Sequence, residues 1–92
     1  MDRIFSLIKE NGYRLSKTVG TVKAFVAPSG WSLEIHANPN DGRLIGGWIK
    51  EYSKTGLSTG SCYVQSFEEA EKFLLDVFSF QKSMTNGEFA QK

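Results

Sequence analysis

Residues Ser66–Gln81 read SFEEAEKFLLDVFSFQ, and the fold follows from how they repeat. Phe67, Ala70, Phe73, Leu74, Val77 and Phe78 recur at spacings of three and four. On a helix that spacing makes one wide apolar stripe. Ser66 followed by Glu69 reads as a capping box, each side chain satisfying a backbone N–H that the first turn leaves unpaired. Glu68, Glu69 and Glu71 add negative charge at the positive end of the helix dipole. Such a stripe has to be buried, and the strand-like segments before it offer the surface.

Those segments begin after a first helix. Asp2 is placed to cap a helix over Arg3–Glu10, with Ile4, Leu7 and Ile8 along one side, and Asn11-Gly12 supplies the left-handed residue that ends it. Tyr13–Val19 alternates, with Tyr13, Leu15 and Val19 on one side and Arg14, Ser16 and Thr18 on the other. After Gly20, Thr21–Ala27 is rich in strand formers, and Pro28-Ser29-Gly30 is placed for a tight turn. Trp31–Ala37 is the cleanest strand: Trp31, Leu33, Ile35 and Ala37 face one way, Ser32, Glu34 and His36 the other. Asn38–Gly42 is a loop. Arg43–Tyr52 reads as a fourth strand with a bulge at Gly46-Gly47, and Ser53–Gly60 as a polar connection. Ser61–Gln65 makes a short fifth strand.

The expectation is an α+β domain: a helix, a four- to five-stranded antiparallel sheet, then an amphipathic helix packed on one sheet face. Residues 1–82 form the single domain, and 83–92 a flexible tail without periodicity. If Asn38–Asp41 closes a hairpin, Ile35 faces Leu44, Leu33 faces Gly46 and Trp31 faces Trp48, all under the helix. The opposite face then carries Ser32, Glu34, His36, Arg43, Ile45, Ile49 and Glu51.

Composition narrows the classes. An apolar content of 40% and an aromatic content of 13% over 92 residues describe one folded domain rather than a disordered chain. A net charge of +1 gives the whole molecule little steering field toward nucleic acid or an anionic membrane. The charge is uneven, mildly basic before residue 67 and mildly acidic after it. Cys62 is the lone cysteine, so an internal disulfide and a multi-cysteine metal site are excluded. With no signal-like opening, no Asn-x-Ser/Thr sequon and no run near the ~20 apolar residues of a membrane span, a cytoplasmic protein without membrane contact is expected.

Helix, three strands, helix is the order of double-stranded RNA-binding domains, similar to the helix, four or five strands, helix expected here. The opening stretch IFSLIKENGYRL, residues 4–15, resembles the start of HicA-type mRNA interferase toxins, where a helix ends at Asn-Gly-aromatic. Those toxins carry a catalytic histidine just after a glycine between the first strands. This chain has Gly20-Thr21-Val22 there, so the resemblance does not carry the activity with it.

No residue set assembles a reaction centre. His36 is the only histidine and shares a strand face with Glu34, but general acid–base work needs a reacting partner within reach. A surface pair is the simpler reading. Cys62 lacks an electropositive neighbour and reads as structural. Gly42, Gly46, Gly47, Gly56 and Gly60 match neither a phosphate-binding loop nor a dinucleotide fingerprint. Lys23, Arg43, Lys50 and Lys54, with Trp31, Trp48, Tyr52 and Tyr63, make the best case for a nucleic-acid surface, since base-stacking sheets use such a mixture. Burial of both tryptophans, and dilution by Glu34 and Glu51, weigh against it.

One pattern does not fit a sheet with a plain outer face. The second strand is apolar on both sides, Val22, Ala24 and Val26 on one and Phe25 on the other. Either the first helix covers that outer face or a partner does. The expectation is therefore a binding protein, not an enzyme, with no cofactor and no metal, docking on a protein or nucleoprotein partner. By analogy with small α+β proteins of similar size, an inhibitor or accessory factor of phages or mobile elements is the kind of role implied. Direct RNA or DNA binding is the alternative. The partner site is expected at Arg43, Ile45, Ile49, Lys50, Lys54, Glu34 and His36.

Overall fold

Two helices lie on one face of a five-stranded antiparallel sheet whose strands follow one another in chain order. A computed structural model describes the backbone of residues 2–90 and the side chains of residues 3–81. The elements are α1 (Asp2–Glu10), β1 (Arg14–Val19), β2 (Val22–Val26), β3 (Ser32–His36), β4 (Trp48–Tyr52), β5 (Ser58–Tyr63) and α2 (Phe67–Ala90). The α+β class and the element order are those read from the sequence.

Helix α1 stops where its sequence says it should. Gly12 sits at φ 89°, its N–H donates to the Lys9 carbonyl at 3.0 Å, and Asn11 Nδ2 donates to the Leu7 carbonyl at 2.9 Å. The Asp2 side chain, expected as the cap, lies outside the described residues. Ile4 and Ile8 point into the core, and the Phe5 ring packs 5.7 Å from Phe25. Helix α2 begins with the serine half of the expected capping box, the Glu69 N–H donating to Ser66 Oγ at 3.2 Å. Ala70, Leu74, Val77 and Phe78 of its stripe are buried, while Phe67 is half exposed and Phe73 lies at the margin. The helix continues past Lys82 to Ala90; residues 91 and 92 of the expected tail lie outside the described residues.

The largest departure from expectation is the register of β4. Ile35 pairs with Ile49 rather than Leu44, and Leu33 with Glu51 rather than Gly46. The expected hairpin is replaced by a longer connection. Asn38 and Arg43 close a turn, with the Asn38 N–H on the Arg43 carbonyl at 2.7 Å. Leu44 then drops fully into the core, and Gly46, at φ 87°, redirects the chain. The Gly46 N–H donates to the Val64 carbonyl at 2.8 Å, and the Gly47 carbonyl accepts from the Val64 N–H at 3.0 Å. A Cβ on Gly47 would run into the backbone carbonyls of His36 and Leu44, so only glycine fits where the chain enters the strand. The displacement is an odd number of residues, and in a strand an odd slip exchanges the two faces. Ile49 and Glu51 therefore belong to the helix-covered face, and Trp48 to the other.

Glu51 is accordingly buried, not surface-exposed. Gln81 Nε2 donates to its Oε2 at 2.8 Å, and the Tyr13 hydroxyl donates to Gln81 Oε1 at 2.6 Å. This chain of bonds satisfies the polar groups at the rim of the core. Burial pushes the Tyr13 hydroxyl up to about 12; the bond to Gln81 pulls it down, and the charge of Glu51 adds to the rise.

Two smaller differences have local causes. A bulge between Leu15 and Lys17 breaks the alternation of β1, leaving Leu15 beside Phe25 and Val19 beside Val22, on opposite faces. β5 starts at Ser58, inside the expected loop, because Ser53 and Leu57 close a tight turn through a 2.9 Å backbone bond.

Candidate functional site

Parity along each strand defines the face that the helices leave uncovered. Three cross-strand rows lie on it: Val19, Val22, His36, Trp48 and Tyr63; then Lys17, Ala24, Glu34, Lys50 and Ser61; then Arg14, Val26, Ser32, Tyr52 and Ser58. The core-facing rows are those of Phe25, Leu33, Glu51 and Gly60 and of Lys23, Ile35, Ile49 and Cys62. Helices α1 and α2 both pack on this second set. The first of the two explanations for the doubly apolar β2 is thereby removed: α1 covers Phe25, and Val22, Ala24 and Val26 face away from it.

The uncovered face is unusually apolar. Trp48 is 42% exposed, Tyr63 46%, Val26 38% and Val19 64%. The Trp48 and Tyr63 rings meet 5.2 Å apart at 59°, a tilted pair joining β4 to the edge strand β5. Glu34 is the one acid on these rows, and it is occupied. Its Oε1 lies 2.8 Å from His36 Nε2 and accepts the Tyr52 hydroxyl at 3.3 Å. Burial, and after it the Glu34 carboxylate, raises the Tyr52 hydroxyl above its ordinary value, so it stays a donor. Arg14 and Lys17 from β1 and Lys50 from β4 supply positive charge. The face is aromatic and aliphatic in its makeup, with bases in excess over acid.

Of the residues expected at the partner site, the structure brings Glu34, His36 and Lys50 together here. Ile49 is fully buried against Ile35, which corrects its assignment to the outer face: the odd slip at Gly46-Gly47 turned it inward. Arg43 and Ile45 belong to the loop before β4, beside Phe67 at the start of α2, and border a separate surface hollow. Lys54 lies in the turn after β4, exposed. Trp48, Tyr63, Tyr52 and the β2 valines form the surface instead. The valines were signalled by the doubly apolar strand; Trp48 carried no such signal, because its side depended on the register.

His36, Glu34 and Tyr52 form one hydrogen-bonded group on an open sheet, with half-buried side chains and no nucleophile bonded to them. Cys62 is on the other face, and burial, with a contribution from Glu69, pushes its thiol up and away from the reactive thiolate. Among the described residues no group of three or more His, Cys, Asp or Glu side chains could hold a metal ion, and no helix is long and apolar enough to cross a membrane. Compared with known proteins, the chain matches no family model, no curated protein and no solved structure.

Proposed function

We propose that this protein is a binding domain without catalytic activity that docks its uncovered sheet face on a protein partner, as an inhibitor or accessory subunit does. One observation carries the reading. Four large apolar side chains, Val19, Val26, Trp48 and Tyr63, stand exposed on a face where the only carboxylate is already engaged. An aromatic and aliphatic centre edged by arginine, lysine and serine is the makeup of a protein interface. The excess of Arg14, Lys17 and Lys50 over Glu34 calls for a partner surface that is net acidic.

A second reading, single-stranded nucleic acid, is favoured by Trp48, which stands exposed on the same face as Lys50, and by Glu51, which does not dilute the field because it is in the core. The valines argue for protein: they offer no stacking surface and no charge to a phosphate backbone.

The test is capture of partners from host cells by tagged protein, with and without nuclease, beside two variants. Val26→Glu should lose the partner, while Lys72→Glu, exposed on α2, should keep it. Binding that survives nuclease and weakens little with salt supports the protein reading. An affinity that falls about a thousandfold between about 50 and 200 mM salt belongs to a strand of roughly six phosphate contacts and overturns it.

A further inference from the structure

A groove lies on the helix-covered side of the sheet, beside α2. Phe73, Asp76, Val77 and Phe80 stand at i, i+3, i+4 and i+7, so they share one side of α2. This side borders the core stripe and faces the β4–β5 edge across an open groove of about 580 Å3. Gly60 forms part of its floor: a Cβ there would lie 3.8 Å from the Phe73 ring and 3.5 Å from Glu51 Oε1. Trp31 also lines it. Among the described residues the groove is lined by three aromatic side chains and two carboxyl side chains, and by no basic one.

The two acids differ in setting. Glu51 is buried, its Oε2 held by Gln81, while its Oε1 is turned toward the Gly60 floor. Asp76 is exposed at the rim. Aromatic faces attract a cation through their quadrupole, and they do so most strongly when the cation is poorly hydrated. A carboxylate with little water around it adds an attraction that bulk solvent would screen. Apolar walls reward the methyl or methylene groups of the same ligand. The volume is that of a small-molecule site. Charge, aromatic lining and size converge on one chemistry.

We propose that this groove binds a small organic cation of the alkylammonium class. The positive nitrogen sits between Trp31, Phe73 and Phe80 with Glu51 beneath it and Asp76 at the entrance. The site is separate from the uncovered sheet face, so it stands whatever docks there.

Choline and its uncharged isostere 3,3-dimethyl-1-butanol, titrated into isotopically labelled protein at matched ionic strength, give the test. Choline should shift the Trp31 indole N–H and the ring signals of Phe73 and Phe80 saturably, with the isostere about tenfold weaker. Asp76→Asn should weaken choline several-fold and leave the isostere unchanged. Glu51→Gln should have the larger effect of the same kind, with a thermal melt to check that it folds. Gly60→Val, which fills the floor, should abolish binding of both. Equal affinity for choline and the isostere would reduce the site to a plain apolar groove and overturn the proposal. So would the absence of any response at Trp31 to choline.

Discussion

The two faces of the sheet are built from alternate residues of the same strands, yet they meet opposite fates. On the covered face, Leu33, Ile35 and Ile49 are fully buried under α1 and α2. Each such side chain contributes roughly 1.5–3 kcal/mol by leaving water. On the other face, Val26, Trp48 and Tyr63 are also aliphatic or aromatic but stay partly in water. Hydrophobicity alone therefore does not separate the two sets. What separates them is parity, set where the chain enters each strand. At β4 that point is Gly46-Gly47, and one odd slip there exchanges a core isoleucine for a surface tryptophan.

The strongest way to break this comparison is to cut into the covered face. Leu74→Ala, on the buried stripe of α2, should cost about 2–5 kcal/mol in chemical denaturation. Leu75→Ala, the next residue but 49% exposed, should cost under about 1 kcal/mol. Similar losses at both sites would mean that α2 is rotated from the position described.

Gly47→Ala probes the point where parity is decided. The added methyl meets backbone carbonyls of His36 and Leu44 rather than a movable side chain. A loss of about 1–3 kcal/mol is expected, as in overpacked sites. Gly42→Ala, at φ 71° but with open space around its Cβ position, should cost only the backbone strain. Comparable costs at the two glycines would remove the close approach from the account.

The smallest effect lies at the margin of the covered face. The Tyr13 hydroxyl, raised to about 12 from an ordinary 10.0, is more easily ionised in the unfolded chain than in the folded one. Its contribution to stability is therefore complete below pH 10 and lost as pH rises toward 12. Melting temperatures across that window should fall less steeply for Tyr13→Phe than for the wild type, although the variant starts lower because it lacks the bond to Gln81. Parallel curves would show that Tyr13 is not shielded as described.

These contrasts also mark what the sequence could tell. The stripe of α2, its serine cap and the Asn11-Gly12 stop of α1 are local features, and each is found where the periodicity and turn chemistry put it. The alternation of β3 was legible because five residues suffice to reveal a period of two. The register of β4 was not. Leu44 and Ile45 look like strand residues, and only the tertiary core shows that Leu44 instead plugs a loop. Of the uncovered face, the β2 valines were visible as surplus hydrophobicity. Trp48 and Tyr63 were not, because nothing local distinguishes an aromatic side chain that packs under a helix from one that waits for a partner. Glu51 failed for the same reason in reverse: its burial depends on Gln81, thirty positions away along the chain.

Adjacent residues on opposite faces give the most direct test of this parity. Thermal melts of Ile49→Asp and Trp48→Asp, purified side by side, place a charge at the same strand step on either side of the sheet. The account predicts that Ile49→Asp fails to fold cooperatively, since it buries an unpaired carboxylate. Trp48→Asp should melt as a folded domain, losing about 1–2 kcal/mol from the ring's packing on Tyr63. A folded Ile49→Asp beside an unfolded Trp48→Asp would contradict the register, and with it the face proposed to bind.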